Sequence, residues 1–581
     1  MLLTSVVSSQ PMLGVTVSKT ICTFLITLAI WRLLRRFIIK SAFDNLPGPP
    51  SRSWLFGNIP QLFTPNGWNF HHSILKRYGR AIKLRGVLGE QLLVTFDPKA
   101  LHYILVKDQH IYEGSSAFIE RNRQLLGEGL LSTRGEQHRK QKKMLNPVFS
   151  INHMREMSER TRCRLCCKFS LMIGSVPLFY EVTERLRATL KTKLANGPQE
   201  IDALHWMTRT ALELIGQSGM GYSFDNLSGD DDIHPYSVSV KKFVPLGGGP
   251  VGFLVNQFVF PFAIKFNFPR LKRFLVECLP FQRAREFVKV IDVMHHTSIE
   301  IINAKKKALT SPNPEVVAEM MSKKDIISIL MKANVTASKQ DQLSDEEVLG
   351  QVSEQMTTFV FAGMDTTSSA LSRTLWLLAT HQDVQQRLRE EIRGAQEDGQ
   401  LSYDQLVSLP YLDAVCRETL RVYPPINLAP MRMARQDMIL PFSKPIFDST
   451  GKQVSEVFIP AGTNIIISVL GANCNPDLWG PDSYEWKPER WLSPLPKAVE
   501  DAHMPGIYSH LMTFLGGGRA CIGFKFSQLE MKVVLSVLLS SFKFAMAEKE
   551  ISWKMNGIAG PTVAGEDEMH PQLPLLMRLV E

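Results

Sequence analysis

A chain of 581 residues with 44% hydrophobic and 21% charged residues has the composition of a globular protein and the length for a large buried core. Length alone predicts roughly two to four domains, and a formal charge of +10 points to an acidic protein, an anionic lipid surface or nucleic acid as partner without choosing among them. Eight cysteines in so long a chain exclude a disulfide framework and favour a reducing compartment, and the C-x-x-C at Cys163 and Cys166 stands in a basic run with no second pair nearby, so it reads as structural thiols.

The region from Pro11 to Trp31 has the length of a membrane-spanning helix, which needs about 20 mostly apolar residues. Lys19 within it would cost roughly 2.5–3.5 kcal/mol near a helix centre. Arg32, Arg35, Arg36 and Lys40 follow the apolar run, whereas a cleaved signal peptide carries its basic residues first. Positive charge on that side leaves the rest of the chain in the cytosol. Residues 1–45 are therefore expected to form a membrane anchor with its basic flank, and LPGPP, Leu46 to Pro50, a stiff hinge before the body. A second apolar run, Val251 to Phe268, is interrupted by Asn256, Gln257, Pro261 and Lys265, and reads as core or as a surface segment dipping into lipid. The sequons at Asn226 and Asn334 stay unmodified in a cytosolic body.

Helical periodicity dominates the body, with strand-like runs near 81–96 and 463–470. The polar stretch 308–345 reads as a surface linker, and Ser344 and Glu347 have the spacing of a capping box opening a helix of about 30 residues that runs to Thr380. AGMDTT, Ala362 to Thr367, lies in its middle; hydroxyls there ordinarily bond back to the preceding turn, which makes the helix structural when taken alone. In RETLRVYPP, Glu418 and Arg421 share a helical face that Pro424 and Pro425 end; such pairs usually sit on solvated faces. Arg490 follows in WKPERWLSP, a Pro-rich, non-helical setting.

The segment TFLGGGRACIGFK, residues 513–525, admits two chemistries. Gly518 and Gly523 have the spacing of a phosphate loop, but Phe524 stands where its lysine belongs, and Cys521 occupies the third glycine position of a dinucleotide fingerprint. The alternative is a metal-bound thiolate at Cys521, with free amides tuning the sulfur, glycines admitting a flat cofactor, and Arg519 meeting a carboxylate on it. FLGGGRACIG resembles the haem-binding signature of the cytochrome P-450 monooxygenases at Phe514, Gly517, Arg519, Cys521 and Gly523, and AGMDTT, ETLR and WKPERW resemble that family's other signatures in its order.

The resemblance implies one mainly α body with a small β-rich region over 46–581, haem b between two helices, and Cys521 as the axial thiolate on iron. Phe514 would lie beside the sulfur. Arg519 and Arg432 fall at propionate partners, and His138 and Lys142 stand where the family usually has Trp and Arg for the same task. Asp365 and Thr366 resemble the acid–alcohol pair that conducts protons to dioxygen. Glu418, Arg421 and Arg490 resemble a buried ion triad. Phe118, Phe359, Ala362, Ile426, Leu428 and Ile558 fall at substrate-contact positions, an apolar set with Asn427 as the polar exception, which implies a lipophilic substrate. The implied partners are O2, the bilayer of the endoplasmic reticulum and an NADPH-dependent reductase drawn by the basic face, not nucleic acid. In style the chain resembles enzymes of filamentous fungi acting in secondary metabolism, on terpenoids for example, or on foreign aromatics. The rival functions are an isomerase or dehydratase that dispenses with O2, and a haem-binding or sensing protein without turnover.

Overall fold

The computed structural model describes residues 42–158, 178–229, 234–247, 282–309, 311–322, 345–396, 399–566 and 570–580, with a few single positions between them. The expected anchor before residue 42, apart from Thr27, lies outside the described residues, as do the run 251–268, Cys163, Cys166, Asn334 and Ser344. No helix among the described residues is long and apolar enough to cross a membrane.

The helices that build the site region are α1 (Gly135–Leu145), α2 (Leu178–Lys193), α3 (Ala203–Ile215), α4 (Gln282–Leu309), α5 (Asp345–Thr380), α6 (Gln382–Ala395), α7 (Pro410–Val422) and α8 (Phe524–Ser541). The long α5 has 36 residues. Val360, Met364, Leu371, Leu375 and Leu378 are buried at one-face helical spacing, so this helix is held by packing along its length. It packs against α3, α4 and α8, and α8 also meets α2 and α6. Val533, Val534, Leu535 and Leu539 leave α8 apolar all round, the pattern of a helix at the centre of a core.

The strands are β1 (Ala81–Arg85), β2 (Gln91–Thr95), β3 (Tyr112–Gly114), β4 (Gln199–Asp202), β5 (Arg432–Ala434), β6 (Met438–Phe447), β7 (Gln453–Ile459), β8 (Asn464–Ile467), β9 (Phe542–Met546), β10 (Ile551–Asn556), β11 (Ile558–Val563) and β12 (Pro574–Leu579). The largest sheet has the order β1-β2-β8-β5-β3, with β2 and β8 parallel. β4-β12-β9 form a second sheet, and β6-β7 and β10-β11 are hairpins. The helices and the large sheet carry separate buried clusters, one on each side of the cysteine segment.

Four details differ from the sequence reading. LPGPP is seated on the sheet: the Lys83 amide donates to the Pro47 carbonyl at 2.8 Å, and a Cβ on Gly48 would meet Lys83 O at 1.9 Å. Phe43 and Leu46 are buried in the sheet-side core, so the packed body includes residues from Ala42 onward. Within the expected linker, Pro314–Ser322 is helical, and Arg490 lies in a short 3-10 turn, Pro488–Leu492.

One charge inside α8 is out of keeping with its surroundings. Glu530 is buried with neither carboxyl oxygen in a hydrogen bond of good geometry, the Thr367 hydroxyl standing alongside. Burial raises its pKa well above the ordinary 4.5. Such a carboxyl takes up a proton on folding, so it costs nothing below the unfolded pKa and erodes stability as pH rises toward the folded one. Glu530→Gln is expected to remove this slope, gaining on the parent by about 1.4 kcal/mol per pH unit across that interval. Denaturant midpoints measured between about pH 5 and about pH 8 check it, and parallel pH curves for the two proteins refute it.

Candidate functional site

Cys521 stands three residues before α8, at the end of a loop whose shape is fixed from several sides. Its amide donates to the Phe514 carbonyl at 2.9 Å, and Ala520 N donates to Gly517 O at 3.1 Å, closing a 3-10 turn over Gly517–Arg519. The Phe514 ring packs between Tyr508 (5.6 Å) and Phe524 (6.0 Å). The loop glycines serve the protein more than a cofactor: a Cβ on Gly516 would meet Pro505 O at 1.8 Å, and one on Gly517 would meet Leu105 O at 1.7 Å. Gly517 also has φ +67, which disfavours any side chain. Gly523 alone of the two signature glycines opens onto free space.

The Cys521 side chain is accessible although packed atoms surround it. Burial pushes the thiol pKa up, opposed by a hydrogen bond from the Gly523 amide and by the Lys142 ammonium. A bound cation is therefore what would make it a thiolate. Among the described residues no group of three or more His, Cys, Asp or Glu side chains converges to hold a metal ion. A metal held at Cys521 would therefore draw most of its ligands from outside these side chains, and the residues beside the cysteine suit a cofactor that carries carboxylates.

Those residues are a cluster of cations short of anions. Arg432 is buried with its Nε unpartnered. Burial and the neighbouring Arg519 push its pKa down to about 10, with Glu113 as the opposing charge. Arg519 is likewise pushed down to about 10 by burial, Glu113 opposing and Arg134 reinforcing. Burial, then Arg519, Lys142 and Arg432, depress His138 to about 3, so its imidazole is neutral. Glu113 faces Arg134, Arg432 and Arg519 at once. Two carboxylates, as haem carries, would relieve this imbalance. The structure narrows two assignments. Arg519 Nη2 donates to the Thr133 carbonyl at 2.7 Å. Lys142 Nζ donates to the carbonyls of Gly518 at 2.9 Å and Ala520 at 2.8 Å, so the lysine faces the cysteine loop.

The pair that spacing alone would put on a solvated face, and that the family resemblance implies is part of a buried triad, is fully buried. Arg421 Nε and Nη2 donate to the two Glu418 oxygens, both at 2.8 Å, with both side chains at 0% exposure. Although burial works against its charge, the Glu418 carboxylate holds the Arg421 pKa above its ordinary value. Glu418 also accepts from Lys487 N (3.0 Å), Trp491 Nε1 (2.9 Å) and Arg490 Nε (3.4 Å). Arg490 has a second carboxylate, Asp482, whose pKa Arg490 and Lys487 hold down at about 2. Arg421 further donates to the carbonyls of Asn473, Ser483 and Glu485. Asn473 then reaches the cysteine segment, its Oδ1 accepting from Met512 N at 2.7 Å and its Nδ2 donating to Thr513 Oγ1 at 2.8 Å. Asn473 and Asp482 carry no local signature, and a buried Glu–Arg pair with donors left over was the only hint that such partners were needed.

On α5, Thr366 Oγ1 donates back to Ala362 O at 2.7 Å, the ordinary habit of helical hydroxyls. Yet Ala362 is exposed, and Asp365 and Thr366 partly so, on a helix otherwise buried around them. A Cβ added at Gly363 would meet the Ile215 side chain at 3.4–3.7 Å, ordinary van der Waals contact. Phe359 is buried edge-on to Phe149, ring centroids 5.7 Å apart. Phe118, Ile426, Leu428 and Ile558 are all partly buried. Two of the expected pocket walls are tied together: Ala559 N donates to Pro425 O at 2.8 Å, and Ser369 Oγ on α5 donates to Ala559 O at 2.5 Å. Asn427 is buried with its Oδ1 unpartnered.

Breaking the pair is expected to be more damaging than breaking its link to the loop. Glu418→Gln strands the Arg421 charge and should cost about 3–5 kcal/mol. Asn473→Ala orphans the Met512 amide and should cost about 1–3 kcal/mol. Denaturation midpoints check both, and a midpoint for Glu418→Gln equal to that of the parent overturns the ranking.

Comparison with known proteins agrees with this geometry. A family model described as Cytochrome P450 matches residues 47–562. A cytochrome P450 monooxygenase 91 of Postia placenta is 48% identical over 545 residues, 94% of this chain and 95% of the relative. Cytochrome P450 monooxygenase 81 of the same fungus is 46% identical over 548 residues, covering 94% and 95%. A ganoderic acid synthetase of Ganoderma lucidum is 42% identical over 553 residues, covering 94% and 96%. With a cysteine beneath a cationic cluster, a buried ion pair bracing its loop, and a family match over nearly the whole length, the chain belongs to the cytochrome P450 family and is a cytochrome P450 monooxygenase.

Proposed function

We propose that this enzyme inserts one oxygen atom of O2 into a lipophilic substrate, the other leaving as water, with electrons from NADPH delivered by a membrane-bound flavoprotein reductase. The observation that carries the reading is Cys521, accessible and with no group of three or more metal-ligating side chains around it among the described residues, beside Arg432 and Arg519, whose charges outnumber the acids that face them. Cys521 would hold the haem iron through its sulfur, and Arg432, with Arg519 and neutral His138 beside it, would meet the haem carboxylates. When bound, the haem iron would supply the oxygen-activating redox chemistry, which a cysteine thiolate on it would favour by donating electron density.

The chain's own groups have the remaining tasks. Thr366 commits its hydroxyl hydrogen to Ala362 O and keeps lone pairs free to hold a water on the accessible side of α5. Asp365, next in the chain and partly accessible, is the titratable group able to resupply a proton there. The apolar set Phe118, Phe359, Ala362, Ile426, Leu428 and Ile558 suits a hydrocarbon-rich substrate. The relative named a ganoderic acid synthetase supports a terpenoid-like substrate in secondary metabolism, and an aromatic compound is the second candidate class. The N-terminal apolar stretch would place the enzyme on the endoplasmic reticulum with its body cytosolic, and the +10 charge suits an acidic reductase.

The reduced carbon monoxide complex is expected to show the red-shifted Soret band of a thiolate-ligated haem, and Cys521→Ser is expected to abolish it; the band's persistence in Cys521→Ser would sink the ligand assignment. Thr366→Ala should lower the rate of product formation by about a hundredfold, the low end of the range for losing a proton-transfer group, while hydrogen peroxide formed per NADPH rises. Unchanged coupling would remove Thr366 from the proton path, and turnover of substrate without O2 consumption would favour an isomerase or dehydratase.

A further inference from the structure

The cysteine loop is gripped on one side by the segment Tyr103–Lys107 and its continuation, and on the other by α1. Gly517 sits against the Leu105 carbonyl so closely that a Cβ would fall 1.7 Å from it, and Gly518 N donates to Gln109 Oε1 at 2.9 Å. From the α1 side, Lys142 Nζ bridges the carbonyls of Gly518 and Ala520, at 2.9 and 2.8 Å. The Gly518 carbonyl lies within the 3-10 turn Gly517–Arg519 and that of Ala520 just after it, at the end of the turn where carbonyl oxygens suit a cationic donor, and Ala520 immediately precedes Cys521. Two of the three N–H donors of the ammonium are thereby used on the loop.

We infer that Lys142 is a positioning residue for the axial cysteine, latching the Gly518 and Ala520 carbonyls so that the Cys521 sulfur keeps its direction, and placing a fixed cation beside that sulfur. Its task is therefore different from that of Arg432, which has an unpartnered nitrogen with which to meet a cofactor carboxylate. The inference rests on the haem-thiolate reading of Cys521. Loss of the ammonium leaves two carbonyls facing an apolar chain and frees the loop to turn the sulfur away. It also removes a positive charge near a site that gains an electron on reduction, which disfavours the reduced state.

The test compares the holoenzyme with Lys142→Met, which keeps the length of the side chain without donors, and Lys142→Arg, which keeps a cation with several donors. Lys142→Met is expected to retain haem at the parent stoichiometry, since Arg432 and Arg519 remain. It should lose at least half of the red-shifted carbon monoxide band to a form without thiolate ligation, and the reduction potential of the fraction that stays thiolate-ligated should move negative. Lys142→Arg should restore both readouts toward the parent. Haem loss in Lys142→Met with the surviving haem still fully thiolate-ligated would overturn the inference and return Lys142 to the carboxylates. A band and potential equal to those of the parent would also overturn it. Absence of the red-shifted band in the unaltered enzyme would instead refute the haem-thiolate reading, and this inference with it.

Discussion

The bidentate pair between Arg421 and Glu418 is the constraint on which the geometry of the site depends. Moving two opposite charges out of water costs several kcal/mol per ion, and their attraction repays it only when the remaining donors and acceptors are also met. Here they are met by groups spread over the segment 473–491: the carbonyls of Asn473, Ser483 and Glu485, the Lys487 amide and the Trp491 indole. A stretch with little regular structure is thus tied to α7 by the need to satisfy one ion pair. Through Asn473 the same requirement reaches Met512 and Thr513, and so sets where the cysteine loop begins.

The far end of that loop is governed by an opposite condition, an excess of positive charge. Arg432, Arg519, Arg134 and Lys142 crowd Glu113 and the neutral His138, and burial raises the cost of each charge. Arg519 and Lys142 spend hydrogen bonds on backbone carbonyls of Thr133, Gly518 and Ala520. Arg432 retains an unpartnered nitrogen. The cluster divides accordingly into groups that shape the protein and a group positioned to meet an incoming anion.

Much of this was legible in the sequence wherever the information is local. Short strand-like apolar runs pointed to β1, β2 and β8, a sustained 3.6-residue pattern to α5, and the registration of glycines around Cys521 excluded a phosphate loop. The burial of Glu418 and Arg421 was not legible from spacing, because a three-residue separation is equally suited to a solvated face; it followed from the family resemblance alone. Asp482 and Asn473 were missed because their roles depend on partners far along the chain, 52 residues in the case of the Arg421–Asn473 contact. The loop glycines were assigned to the cofactor on the strength of their lack of side chains. Only coordinates show that Pro505 and Leu105 occupy the space that Gly516 and Gly517 leave. Lys142 stands where the resemblance implies a carboxylate partner, and in the structure its compact ammonium, unlike a planar fork, bridges the Gly518 and Ala520 carbonyls.

The tie between the expected pocket walls has a different kind of consequence. The joint from Ala559 to Pro425 is made by a main-chain amide and a main-chain carbonyl, and the joint to α5 uses a main-chain carbonyl and the hydroxyl of Ser369. Neither uses the side chains of Ile426, Leu428 or Ile558. These three residues can therefore be exchanged for larger or smaller ones without unfastening the walls that carry them. Such a scaffold separates the mechanical frame from the lining, and lets one backbone acquire new molecular tastes by point substitution.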